Sequence, residues 1–187
     1  MSTKTKLAMF DLDGTLFDTK NVNYNAYKKA LQEYGIELDY SYFCKECNGK
    51  KYSSFLPNIC GFNDERIEHI HQLKKRYFSS FLTCVIKNDA LFSIIENLKN
   101  DYYIALVTTA SKKNVDDLLN HFQINVFDLI ITQEDVHHAK PNPEGYQLGI
   151  NHFQIHPENV IIFEDSNIGV EAASKVTKNV FVVKGYN

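Results

Sequence analysis

The segment KLAMFDLDGT, residues 6–15, places two carboxylates directly after an apolar run. The run extends from Leu7 to Phe10 without a polar residue, which is typical of a strand that is covered on both faces. Gly14 follows the second carboxylate and allows a sharp turn there. Because open α/β sheets bind their ligands at the carboxyl ends of the strands, the segment predicts a functional site at Asp11 and Asp13.

The composition is that of a globular domain without a strong charge bias. The chain has 187 residues, of which 44% are hydrophobic, and a formal net charge of −3. The length predicts one core domain with a modest insertion, and the charge offers no general attraction for nucleic acid or an acidic membrane surface. No apolar run is long enough to span a bilayer, and the N-terminus lacks the apolar region of a signal peptide. We therefore expect a cytoplasmic protein with no nucleic-acid polymer and no membrane among its partners.

Five short apolar runs have the length of buried strands, and the later ones alternate with helical patterns. The runs are Lys6–Phe10, Tyr103–Val107, Leu129–Ile131, Val160–Phe163 and Val180–Val183. Helices are predicted after Ser111, after Asn142 and from about Ile168, because cap residues or apolar residues at helical spacing occur there. This alternation indicates an α/β fold, in which a parallel sheet lies between two layers of helices.

Residues 18–87 interrupt the alternation with helical patterns. Apolar residues recur at helical spacing from Val22 to Tyr34 and again from Ile67 to Phe81. We interpret this interval as a small all-helical domain, inserted into a core that consists of residues 1–17 and 88–187.

All four cysteines lie in this insertion: Cys44, Cys47, Cys60 and Cys84. The first two form a CxxC pair, but the other two do not supply the second pair that a zinc site requires. Cysteines of cytosolic proteins are usually reduced and buried. We therefore predict neither metal binding nor redox chemistry for them.

Polar side chains also lie at the ends of other predicted strands or just before a helix. They are Thr108 and Thr109 after the second strand, Lys140 before a helix, and Glu164 and Asp165 after the fourth strand. Because the carboxyl ends of parallel strands meet at one edge of a sheet, we expect these groups to converge with Asp11 and Asp13. Clustered carboxylates repel unless a cation lies among them, and oxygen ligands suit Mg²⁺. A divalent cation, a lysine and a hydroxyl together favour a phosphate group as the ligand.

Four motifs, DLDGT, the threonine after YIALV, KPNP and FEDS, resemble in order and spacing those of the haloacid dehalogenase-like superfamily of phosphohydrolases. The resemblance covers nearly the whole chain and is to the phosphoglycolate phosphatase and β-phosphoglucomutase-like subgroup, which has a helical cap of the C1 type. It implies a Rossmann-like core with strand order 5-4-1-2-3, and it identifies the inserted residues 18–87 as the cap domain.

The resemblance also implies a role for each matching residue. Asp11 would be the nucleophile that forms an aspartyl-phosphate, and Asp13 would protonate the leaving alcohol and then activate water. Thr108 and Lys140 would bind the phosphoryl oxygens. Thr109 is the alternative to Thr108 in this role. Lys140 would in addition restrain Asp11. The implied substrate is a small-molecule phosphate monoester.

The cofactor implied by the resemblance is Mg²⁺. Its ligands would be the side chains of Asp11 and Asp165 and the backbone carbonyl of Asp13. Glu164 would be either a further ligand or a neighbour of the ligands. Phosphoryl transfer spreads charge over several oxygens in the transition state, so positioning and electrostatics would supply most of the rate.

Three other functions stay open beside hydrolysis of a phosphate ester. A phosphosugar mutase of the β-phosphoglucomutase type would have a histidine in the first cap helix, where this chain has Asn23, and residues 48–52 depart from its cap motif. A phosphonate hydrolase would use a cap lysine as a Schiff base, and several cap lysines are available. A binding module that has lost catalysis is the least favoured, because both motif aspartates and Lys140 are present. For the quaternary structure we expect a monomer, or a weak dimer along the edge formed by the last strand.

Overall fold

The computed structural model describes residues 4–184, and the chain divides into two compact units. The first, which we call the core unit, contains the chain up to Asp18 and from Ile86 onward. The second, which we call the helical unit, is Thr19–Val85. In the described part of the chain, no helix combines the length and apolar character that crossing a membrane requires.

The strands of the described residues all belong to the core unit. They are β1 (Lys6–Phe10), β2 (Phe17–Asp18), β3 (Ile86–Lys87), β4 (Tyr102–Val107), β5 (Leu129–Ile131), β6 (Val160–Glu164) and β7 (Val180–Val182). Five of them form one parallel sheet in the order β5-β4-β1-β6-β7. If these five strands are numbered 1 to 5 along the chain, the order read from the β7 edge is 5-4-1-2-3, as predicted. The difference from the prediction is that β2 and β3 pair antiparallel as a separate short sheet.

The α-helices are divided between the two units. The helical unit contains α1 (Lys20–Gln32), α2 (Tyr40–Tyr42), α3 (Tyr52–Cys60) and α4 (Glu65–Phe78), and the core unit contains α5 (Asp89–Leu98), α6 (Lys112–His121), α7 (Glu144–Phe153) and α8 (Asn167–Ser174). The last three confirm the predicted helices of the core. Helix α5 occupies a segment for which no helix was predicted.

Polar side chains accept hydrogen bonds from backbone N–H groups at two helix starts near the site. The Ser111 hydroxyl, at the N-cap position of α6, accepts from the Asn114 N–H at 3.4 Å. The N-cap residue of α7 is Pro143 and not the predicted Asn142, whose side chain accepts from the Glu144 N–H at 3.0 Å from one position earlier. Both side chains satisfy backbone donors that have no partner within the helix.

Strand β1 is central in the sheet, where it pairs with β4 and β6, and its apolar side chains are buried on both faces. Leu7, Met9 and Phe10 are completely buried. Helix α7 packs against β1 and β4, and a Cβ atom on its Gly149 would lie 2.7 Å from the Met9 sulfur. This close packing fixes α7 on the sheet and therefore fixes the loop that precedes it.

The helical unit has a hydrophobic core of its own. Helices α1 and α4 pack against each other, and Leu31, Leu56 and Ile70 are among the completely buried residues. All four cysteines are free thiols, and Cys47 is buried in this core. The predicted helical insertion thus has its own packed interior, as a cap domain requires, while its role as a cap stays a prediction.

Candidate active site

The predicted site residues lie at one edge of the core sheet. Asp11 follows β1, Thr108 follows β4, Glu164 ends β6 and Asp165 follows it. Lys140 lies in the loop before α7. Because β1 pairs with both β4 and β6, the strand order brings these side chains together.

Lys140 connects the carboxylates of two strands. Its Nζ donates to Asp11 Oδ1 at 2.5 Å, to Glu164 Oε1 at 2.7 Å and to the Val107 carbonyl oxygen at 3.0 Å. An ammonium group has three N–H donors, so each donor has an acceptor in this arrangement. The lysine side chain is only 8% exposed. Lys140 therefore holds the Asp11 carboxylate in a fixed orientation.

Glu164 is completely buried, and both of its oxygens accept hydrogen bonds. Oε1 accepts from Lys140 and from the Tyr146 hydroxyl, the latter at 2.9 Å. Oε2 accepts from the N–H groups of Asp165 and Ser166 and from the Ser166 hydroxyl, at 3.0, 3.1 and 3.1 Å. A Cβ on Gly169 would lie 1.8 Å from Oε1, so α8 also approaches this carboxylate closely. Glu164 thus anchors the start of α8 and the lysine at the same time.

Asp165 lies against the DLDGT loop. The Thr15 hydroxyl donates to Asp165 Oδ1 at 3.2 Å. Gly14 has a φ of +89°, and a Cβ atom on it would lie 2.2 Å from Asp165 Oδ2. Position 14 therefore requires glycine both for its backbone conformation and for the close approach of the carboxylate.

The remaining predicted site residues differ in burial. Asp13 is half-buried, and its backbone forms a bridge to Phe17. Thr108 is buried, and its hydroxyl oxygen accepts from the Ala110 N–H at 3.0 Å, whereas Thr109 is exposed. Both threonines line one small cavity together with Lys140.

The carboxylates of the cluster outnumber its ammonium group. Burial raises the pKa of Asp11 to about 7, although Lys140 opposes this shift. Burial and the Glu164 charge also raise the pKa of Asp165. Burial alone would lower the pKa of Lys140, but Asp11, Tyr146 and Glu164 together raise it, so the lysine stays charged.

The donor set of the cluster fits a hard divalent cation. Carboxylate oxygens of Asp11, Glu164 and Asp165 lie within 4.8 Å of one another. Such all-oxygen sets suit Mg²⁺, and a cation here would offset both the burial of the carboxylates and the repulsion between them. Because Glu164 already accepts five hydrogen bonds, the fit is best for Asp11 and Asp165 as the ligands.

Two residues of the cluster and its loop had no predicted role. Tyr146 lies on the apolar face that the sequence gives α7, yet its hydroxyl donates to Glu164. Glu144 accepts from the N–H groups of His137 and His138, both at 2.8 Å, and so holds the loop that carries Lys140. The available signal was their position just after KPNP, in the first turn of the predicted helix.

A family model described as haloacid dehalogenase-like hydrolase matches residues 8–183. The chain belongs to this family. The predicted family is therefore confirmed, and this haloacid dehalogenase-like protein is a hydrolase.

Relatives of this haloacid dehalogenase-like hydrolase include named phosphatases. The phosphorylated carbohydrates phosphatase of Thermotoga maritima is 29% identical over 88% of this chain and 78% of the relative. The fructose-1-phosphate phosphatase of Escherichia coli is 25% identical over 88% of this chain and 89% of the relative.

Solved structures share the fold of this hydrolase. CbbY from Rhodobacter sphaeroides in complex with phosphate has a TM-score of 0.84 at 22% identity, covering 97% of this chain and 87% of that one. A putative β-phosphoglucomutase from Thermotoga maritima has a TM-score of 0.76 at 26% identity, with the same coverage of both chains. At 22% identity, the likeness to CbbY concerns the fold alone. Both structures confirm the Rossmann-like α/β class.

Proposed function

We propose that this protein is a Mg²⁺-dependent phosphatase that hydrolyses small phosphorylated carbohydrates through an aspartyl-phosphate. The observation that carries the proposal is the Asp11 carboxylate, which is buried at the end of β1 and held by Lys140 beside Asp165. A carboxylate that is fixed in one orientation and shielded from water is suited to attack phosphorus.

In the first step, an Asp11 oxygen forms a bond to phosphorus while the bond from phosphorus to the ester oxygen breaks. Asp13 gives a proton to the departing alcohol. In the second step, Asp13 takes a proton from water as the water oxygen bonds to phosphorus, and the bond between phosphorus and Asp11 breaks. Inorganic phosphate leaves, and both aspartates return to their starting states.

Asp11 and Asp165, with the backbone carbonyl of Asp13, would hold Mg²⁺. The ion would neutralise the carboxylates and supply positive charge for the phosphoryl oxygens. The Thr108 hydroxyl and Lys140 would orient the phosphoryl group, and Glu164 would keep the lysine in position. The burial of Asp11 and Thr108 and the hydrogen bond from Lys140 to Glu164 support these assignments.

The substrate class is supported by the relatives. The names of two of them, quoted above, specify phosphorylated carbohydrates and fructose 1-phosphate as substrates. The test is release of inorganic phosphate from a panel of hexose, pentose and triose phosphates, phosphoglycolate and a generic aryl phosphate, with Mg²⁺ and with EDTA. We expect Mg²⁺-dependent release that is fastest with a sugar phosphate. Release that persists in EDTA, or no release from any ester, would contradict the proposal.

A second candidate is a phosphosugar mutase, which the likeness to the putative β-phosphoglucomutase favours. Against it stands Asn23, whose side-chain amide donates to the Thr19 hydroxyl at 3.2 Å, where the mutase motif has histidine. Assaying a hexose 1-phosphate for both hexose 6-phosphate and inorganic phosphate separates the two reactions. A hydrolase yields phosphate in proportion to the substrate consumed, whereas a mutase yields the isomeric sugar phosphate.

Binding of Mg²⁺ should raise the melting temperature more at about pH 8 than at about pH 5.5. An aspartate in the unfolded chain has a pKa of about 3.9, whereas burial raises the pKa of Asp11 in the folded, metal-free protein to about 7. Between these values the folded state holds a proton that the unfolded state has lost, so the metal-free protein loses stability as the pH rises. Mg²⁺ must displace that proton at low pH but not at high pH. Thermal melts with EDTA and with Mg²⁺ at both pH values measure the difference, and an equal shift at both would contradict it.

A further inference from the structure

Tyr146 is a buried aromatic residue whose hydroxyl contacts one member of the carboxylate cluster. The residue is 1% exposed, and its hydroxyl donates to Glu164 Oε1 at 2.9 Å. The same oxygen accepts from Lys140 at 2.7 Å, and the lysine Nζ lies 5.0 Å from the centre of the tyrosine ring. The tyrosine and the lysine thus share one acceptor atom.

This shared acceptor matters because all three donors of Lys140 are in use. A phosphoryl oxygen that binds this lysine must replace Asp11, the Val107 carbonyl or Glu164 as an acceptor. Replacing Asp11 would release the nucleophile from its orientation, and replacing the Val107 carbonyl would remove the lysine from a buried backbone acceptor. Replacing Glu164 leaves Oε1 with the Tyr146 hydroxyl as its donor, so no buried carboxylate oxygen loses its last hydrogen bond.

We propose that Tyr146 is a positioning residue, whose hydroxyl retains Glu164 when Lys140 transfers one hydrogen bond to the phosphoryl group. The inference rests on the proposed function and deepens it. The transfer is most favourable when charge spreads over the phosphoryl oxygens, so Tyr146 acts mainly on the transition state. Oε1 of Glu164 thus has two donors, Lys140 and Tyr146. Only the hydrogen bond from Lys140 is transferred to the phosphoryl group, and the hydrogen bond from Tyr146 is kept.

The test compares Tyr146→Phe with the wild type, and Tyr103→Phe is the matched control. The control removes a hydroxyl from β4, on a half-buried ring that stacks on Phe153. We expect Tyr146→Phe to lower kcat about tenfold, with KM within about twofold of the wild type, whereas Tyr103→Phe changes neither constant. In the presence of Mg²⁺, affinity for orthovanadate, which imitates the transition state, should fall about tenfold. Affinity for inorganic phosphate should not change.

The outcomes separate this inference from the function on which it rests. If the wild type releases no phosphate from any ester, the proposed function fails. If the wild type is active but Tyr146→Phe matches it in kcat and vanadate affinity, the role of the tyrosine is wrong. A rise in KM with unchanged kcat also overturns it, because the hydroxyl then acts on substrate binding. A Tyr146→Phe protein that no longer folds overturns it as well, because the hydroxyl then serves stability.

Discussion

The Asp11→Asn variant should fold normally and release phosphate at least about a thousandfold more slowly than the wild type. The amide has the shape of the carboxylate and can still accept a hydrogen bond from Lys140, but it cannot form an aspartyl-phosphate. Its neutral charge suits the buried position, where burial raises the pKa of the native carboxyl to about 7. Release of inorganic phosphate from the best substrate, measured with Mg²⁺, checks this expectation.

The control for this variant is Asp101→Asn, which makes the same change at an exposed turn residue. It should keep the rate of the wild type. Melting temperatures of both variants show whether any loss of rate comes from unfolding. If Asp11→Asn retained more than about a tenth of the wild-type rate, a different group would have to be the nucleophile.

Lys140→Met should abolish phosphate release and lower the free energy of unfolding by about 3–5 kcal/mol at neutral pH. The methionine keeps the apolar stem but removes the ammonium, which leaves Asp11 and Glu164 buried beside each other without their cation. Urea unfolding of the metal-free protein measures the loss. Because protonation of Asp11 removes one of the two charges, the loss should be smaller at about pH 5 than at about pH 8.

The comparison variant is Lys113→Met, which removes a lysine that pairs with Asp117 at 2.5 Å but is 58% exposed. Exposed pairs contribute little, so this change should cost less than about 1 kcal/mol and leave the rate unchanged. Equal losses for the two lysine variants would mean that the buried charges around Lys140 are better solvated than the structure indicates.

The sheet and three of the core helices could be predicted because each has a local signal. The strands are apolar runs with turn residues beside them, and Ser111 and Asn142 are polar residues just before apolar residues at helical spacing. Helix α5 had such a signal as well, since Asn88 caps it and Leu91, Ile95 and Leu98 recur at helical spacing.

The small sheet of β2 and β3 has no comparable signal. Each strand has two residues, which is too few to show a period. The pairing joins Phe17 to Lys87, and the whole helical unit lies between them in the sequence. Only tertiary contact creates these strands. No inspection of local pattern would have found them.

The site was predictable as a set of residue types, but its hydrogen bonds were not. The motifs contain the acids, the lysine and the threonines. Glu164 accepts hydrogen bonds from both Lys140 and Tyr146. These bonds depend on the directions in which the three side chains leave β6, the KPNP loop and α7. A tyrosine on the apolar face of a helix is usually a core residue, and its hydroxyl partner appears only when the helix is packed.

The residues that meet at Lys140 and Asp165 are distant along the chain. Lys140 contacts Asp11 across 129 residues, and Asp165 contacts Thr15 across 150. During synthesis the first carboxylate therefore leaves the ribosome long before its lysine, and β6 must join β1 before the last acid reaches the cluster. Closing such long loops costs conformational entropy, and local contacts do not compensate this cost. Formation of the carboxylate cluster around Lys140 consequently reports that β1, β4 and β6 have come together in the sheet.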